Sequence, residues 1–166
     1  MFRKIMVPID GSPTSKMGLE EAIKLAKDQK ASLFLLHIVD EVALLSESAG
    51  ISEFGGGAEI DRLFEGFVNA GKKILSKAEA TVRKHRVKAK SLLIENVSAP
   101  TSQLIVTQAK KWGADLIVLG THGRRGIRRL VMGSDAEGVV RTTHIPVLLV
   151  RAVAHAKRPI GTRVPI

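Results

Sequence analysis

A glycine- and arginine-rich tract, Gly120-Thr121-His122-Gly123-Arg124-Arg125-Gly126, follows the apolar run Leu116-Ile117-Val118-Leu119 and leads to Gly133-Ser134. The spacing is G-x2-G-x9-G-S, and Ser134 opens what reads as the next helix. A strand, a glycine loop and a helix N-terminus in that order suit a phosphate, because unpaired N–H groups and the positive end of the helix dipole both favour negative charge. Gly120, Gly123 and Gly133 let the main chain come close to phosphate oxygens, and glycine also serves turns with positive φ and no ligand. Arg124, Arg125, Arg128 and Arg129 fill the interval, and one or two guanidinium groups can clamp phosphates bidentately. His122 lies beside them, with no acid at a recognisable spacing to orient it. The Walker and dinucleotide fingerprints, G-x-x-x-x-G-K-[ST] and G-x-G-x-x-G, do not occur in the chain, and the five histidines form no metal signature. Ser134-Asp135-Ala136-Glu137 also reads as an S-x-x-E capping box, so two uses of the Ser134 hydroxyl stay open. Asp135 suits the positive end of the helix dipole but competes with a phosphate for it, a conflict that a magnesium ion between them would resolve.

Five apolar runs position these groups: 5–9, 33–39, 92–97, 116–119 and 147–150. They are continuous rather than alternating, and helical periodicity separates them, which predicts an α/β fold with a parallel sheet covered on both faces. Leu19, Ala22, Ile23 and Ala26 share one helix face; Ile60, Leu63, Phe64, Phe67, Gly71, Ile74, Leu75, Ala78 and Val82 share a second. Leu104, Ile105, Gln108, Ala109 and Trp112 line a third, and Ala136, Val139 and Val140 begin a fourth. Trp112, just before Gly113, is expected to pack at the sheet edge. Ser12 before Pro13 marks a helix start, with a capping hydroxyl and proline at the first helical position. Asp10 ends the first run, where an aspartate readily bonds the backbone of the following Gly11-Ser12 turn. Asp40 to Glu59, with its serines and Gly55-Gly56-Gly57, is expected to be irregular, either a lid or a disordered connection.

The 166 residues fit one domain with a sizeable core. With no cysteine, disulfides and thiolate chemistry are excluded and a reducing compartment is permitted. The apolar run after Met1-Phe2-Arg3-Lys4 is too short for a secretion signal and no stretch approaches a membrane span, so a cytoplasmic protein without membrane contact is expected. The net charge of +10 favours anionic partners, but with no tyrosine and one tryptophan a base-stacking platform is poorly supplied. Nucleic acid is therefore not expected as the main ligand.

Four segments taken together resemble the universal stress proteins, in the branch whose glycine motif binds ATP: Ile5-Met6-Val7-Pro8-Ile9-Asp10-Gly11-Ser12, Leu36-His37-Ile38-Val39, the stretch from Gly113 to Gly120 that leads into the glycine tract, and Ile145-Pro146-Val147-Leu148-Leu149-Val150. The resemblance implies a single domain over 1–151, an open five-stranded parallel sheet of order 3-2-1-4-5 with helices on both faces, and an extended basic tail over 152–166. That order puts its reversal between the first and fourth runs, where open sheets collect ligands. It implies ATP, ADP or AMP, with magnesium, held by Pro8, Asp10, Ile38, Val39, Gly120, His122, Gly123, Arg124, Gly133, Ser134, Asp135 and Ala136. Asp10 would face the ribose or the metal, and Ile38 and Val39 the adenine. It implies a homodimer paired through Val147–Val150. The expected function is a regulatory module read by its nucleotide occupancy in the stress response, without dedicated catalysis; a slow magnesium-dependent ATPase and a ligand-free scaffold are the alternatives.

Overall fold

The computed structural model describes residues 1–40, 57–96, 98–121 and 132–151. The chain alternates strand and helix: β1 (Lys4–Pro8), α1 (Pro13–Gln29), β2 (Ser32–Asp40), α2 (Gly57–Lys84), β3 (Ala89–Asn96), α3 (Thr101–Trp112), β4 (Leu116–Gly120), α4 (Ser134–Thr142) and β5 (Val147–Val150). The strands form one parallel sheet in the order β3-β2-β1-β4-β5, as the resemblance implies.

Alternate residues of each central strand feed different faces. Ile5, Val7, Leu33 and Leu35 pack under α1 and α2, against Leu19, Ala22, Ile23, Leu75, Ala78 and Val82. Met6, Phe34, Leu36, Ile117 and Leu119 pack on the other side against Ile105, Val106, Ala109 and Val139 of α3 and α4. Both faces being covered is why these strands read as unbroken apolar runs. Burial of a large apolar side chain contributes about 1.5–3 kcal/mol, so β1 and β2, with Ile5, Met6, Leu33, Leu35 and Leu36 almost wholly shielded, dominate the core.

Three expectations need correction. Asp40 is the last residue of β2, and Gly57 and Glu59 lie inside α2, so the expectation of an irregular Asp40 to Glu59 is corrected at both ends, and 41–56 lie outside the described residues. Glu59 in the first turn suits the helix dipole, and the apolar stripe from Ile60 draws the helix onto the sheet. β3 starts at Ala89 rather than Leu92, because the backbone ladder pairs Lys90 with Phe34 and Ser91 with Leu35 regardless of polarity at this lateral strand. Trp112 sits on a face of the sheet, not its edge: its ring stacks on Phe34 of the interior strand β2 at 5.2 Å, with the Lys4 ammonium 5.4 Å from its centroid. Val97 and the 152–166 tail lie outside the described residues.

Candidate functional site

The sheet order places the reversal between β1 and β4. The carboxyl ends of β2, β1 and β4 are therefore neighbours, bringing Ile38–Val39, Pro8–Asp10 and Gly120 to one margin. Pro8 is half-buried and in register with Leu36; Ile38 is half-buried and Val39 is buried.

Asp10 makes the turn that the sequence allows. Its Oδ1 accepts the Ser12 N–H at 2.9 Å, and Gly11 between them has φ +82°, a conformation that side chains resist. Ser12 then caps α1: its Oγ accepts the Ser15 N–H at 3.1 Å, with Pro13 at the first helical position. Ser12, Thr14 and Ser15 are all buried, and the Ser12 and Thr14 hydroxyls lie 3.1 Å apart. The half-buried Asp10 carboxylate thus stands over a packed hydroxyl cluster at the start of α1.

Gly120 has a packing reason to be small. A Cβ there would come 2.9 Å from both the backbone carbon and the Cβ of Thr14. Gly18, one turn further along α1, also approaches the Gly120 amide, its Cβ position lying 3.6 Å from that nitrogen. Two N–H groups beyond Gly120 are used by the protein's own backbone, Thr121 donating to Val150 and Gly133 donating to Thr121, each at 2.9 Å. The second of these bonds ties together the two sides of the glycine tract. His122, Gly123 and Arg124, with Arg125, Arg128 and Arg129, lie outside the described residues.

The capping-box alternative is corrected at α4. Gly133 is the N-cap, with φ −63° and ψ 151° and no side-chain cap, while its carbonyl accepts the Glu137 N–H at 2.9 Å. Ser134 is therefore the first helical residue, one step past the position from which its hydroxyl would cap. Glu137 instead approaches Arg141 at 3.7 Å. Ser134 and Asp135 are exposed and Ala136 is buried. The first turn consequently ends in backbone donors with no capping side chain, the arrangement that accepts anions at helix N-termini. An open hollow lined by Ser134, Glu137, Gly138, Arg141 and Thr142 runs along α4 away from this turn. Among the described residues no group of three or more His, Asp or Glu side chains is placed to hold a metal. Lys24, on the outer face of α1, is held above the ordinary ammonium pKa by its hydrogen bond to Glu21.

Several polar residues at this margin escaped the sequence reading. Thr14 packs on Gly120. The Asp40 carboxylate accepts the Thr101 hydroxyl at 3.0 Å, linking β2 to α3, and the buried Asn96 side chain accepts the Ser98 and Ala99 N–H groups beyond β3. His37 is 2% exposed and bonds the Ile9 carbonyl. The signal for His37 was present, since a histidine inside an apolar strand must find a partner when buried.

Comparison with known proteins agrees with this architecture. The chain is 34% identical over 151 residues to universal stress protein MJ0531 of Methanocaldococcus jannaschii, covering 91% of this chain and 83% of that protein. Its fold matches the structure of MJ0577 from the same organism with a TM-score of 0.74 at 24% identity, over 92% of this chain and 97% of that one. It also matches a universal stress protein of Archaeoglobus fulgidus solved in complex with dAMP, with a TM-score of 0.64 at 23% identity, over 89% and 97% of the two chains. Residues 1–151 match the universal stress protein family, and the chain belongs to it.

Proposed function

We propose that this chain binds an adenine nucleotide in the crevice between the ends of β1 and β4, and that its occupancy, rather than turnover, is the signal. The observation that carries the reading is the Gly133-capped start of α4, whose backbone donors meet no capping side chain, beside the strand-order reversal. The Archaeoglobus relative solved with dAMP supports the ligand class.

In this reading the Ser134, Asp135 and Ala136 N–H groups hold phosphate, and His122, Gly123 and Arg124 of the glycine tract complete the anion site. Ile38 and Val39 offer the adenine backbone groups and an apolar wall, with Pro8 beneath. The groups at this margin suit such a ligand in kind: a carboxylate just beyond the end of the first strand, backbone donors at the start of α4 and apolar residues at the end of β2. ATP with magnesium is the preferred occupant: magnesium is commonly held by one or two carboxylates together with substrate phosphates, so no cluster of protein ligands is required. The protein's own share is to orient and neutralise the phosphates.

Equilibrium titration with ATP, ADP and AMP, with and without magnesium, followed by an inorganic phosphate assay, tests the reading. Micromolar affinity without phosphate release supports a nucleotide sensor, whereas release abolished by Asp10→Ala supports the slow ATPase. The ligand-free scaffold has one observation in its favour, that Thr14 alone accounts for the smallness of Gly120. Failure of all three nucleotides to bind the folded chain, with Gly123→Val harmless to partner contacts, would establish the scaffold. The same reading includes a homodimer through β5, where Leu148 is 37% exposed.

A further inference from the structure

Beyond the last residue of β1 the chain stays tied to β2. The Ile9 N–H donates to the Leu36 carbonyl at 2.7 Å, and the Ile9 carbonyl then accepts from His37 Nδ1 at 2.5 Å. A carbonyl can only accept, so Nδ1 carries the proton. The ring is also confined from the side of α2: a Cβ at Gly71 would lie 2.6 Å from His37 Cδ2 and 2.9 Å from Nε2. The imidazole is therefore wedged between the backbone of α2 and the carbonyl that immediately precedes Asp10. The ring thus spans from α2 to the Ile9 carbonyl, while the Ile9 N–H is held separately by Leu36.

We propose that His37 is a positioning residue for the Asp10 turn, and that the seating of α2 is transmitted through the Gly71–His37–Ile9 contact to the mouth of the crevice. The nucleotide consequence rests on the function proposed above. The contact itself does not, since it concerns where Asp10 and the Ser12 amide stand. No binding role is assigned to the imidazole: it acts on the crevice through Ile9, the residue before the turn that Asp10 closes on Ser12.

The test is a double-mutant cycle. Gly71→Ala forces a methyl group against the ring and is expected to weaken adenine nucleotide binding about tenfold, since small misplacements near a binding geometry are costly. His37→Asn keeps an N–H donor near the position of Nδ1 and removes the bulk facing α2, so alone it should change affinity by no more than about threefold. In the double variant the effect of Gly71→Ala should largely disappear. His37→Leu, which leaves the Ile9 carbonyl without its donor, should behave like Gly71→Ala and not be relieved. Each protein is also followed by the amide resonance and exchange rate of Ser12, a readout independent of nucleotide. Equal losses from Gly71→Ala with His or Asn at position 37 would overturn the route through His37. An unmoved Ser12 amide in Gly71→Ala and His37→Leu, with both variants folded, would overturn the positioning role altogether. Absence of nucleotide binding by the unaltered protein, with the Ser12 amide still following the cycle, would remove the proposed function and leave the His37 contact standing.

Discussion

Asp10 closes its own turn through a carboxylate oxygen, a structural use distinct from its proposed use with a ligand. Asp10→Asn retains an oxygen that accepts the Ser12 N–H but removes the charge. Its thermal midpoint should stay within about 2 °C of the unaltered protein, since a substitution that keeps the turn's hydrogen bond is expected to move stability by less than about 0.5 kcal/mol. If the carboxylate acts through magnesium, the enhancement of ATP binding by that ion should fall about tenfold, as expected when a charge-assisted ligand is lost; isothermal titration with and without magnesium reads this directly. Gly120→Ala makes the opposite prediction. Its methyl group meets Thr14 at 2.9 Å, so urea unfolding should show a loss of about 1–3 kcal/mol, the usual range for overpacking. Asp10 was legible in the sequence because an aspartate readily bonds the backbone two residues on, at Gly-Ser here. The packing role of Gly120 was not, because it depends on how closely α1 crosses β4.

At the scale of the helix, two serines in similar sequence settings have different work. Ser12 caps α1 through its hydroxyl, whereas Ser134 lies inside α4 behind a Gly133 cap. Ser12→Ala should therefore cost about 1 kcal/mol of stability and Ser134→Ala less than about 0.5 kcal/mol, compared by chemical denaturation of the two variants. A loss from Ser134→Ala matching that from Ser12→Ala would reinstate the capping box. The distinction was invisible in S-x-x-E, because the helix starts one residue earlier than that pattern places it, at a Gly133 whose N–H is bonded to Thr121 across the tract. Pro13 supplied what Ser134 lacked, a neighbour that fixes the register of the helix start. For α2 the long apolar stripe predicted the body of the helix correctly, while its first turn at Gly57 was hidden by a glycine run that reads as a loop.

Across the whole molecule the fold was readable because covered strands leave uninterrupted apolar runs, and the alternation of strand and helix admits few parallel sheets. The strand order itself came from the family resemblance, since periodicity does not say which strands are neighbours. The lateral strand β3 was the least legible, its polar start carrying no apolar signal. On the far side, β5 leaves Leu148 exposed. Leu148→Lys should abolish the proposed dimer by placing like charges across a two-fold contact, leaving a folded monomer by sedimentation. An unchanged mass in solution, whether one chain or two, rules out pairing through this strand.

The 2.9 Å bond from Gly133 to Thr121 has a practical meaning for the segment it encloses. When the two ends of a segment are fixed this close together, its length enters folding mainly through a slowly growing closure entropy. Swapping 122–132 for an equally long Gly-Ser linker should leave circular dichroism and melting nearly untouched while erasing adenylate affinity. Under the proposed function, recognition chemistry would then be open to rewriting between two fixed ends, Thr121 and Gly133.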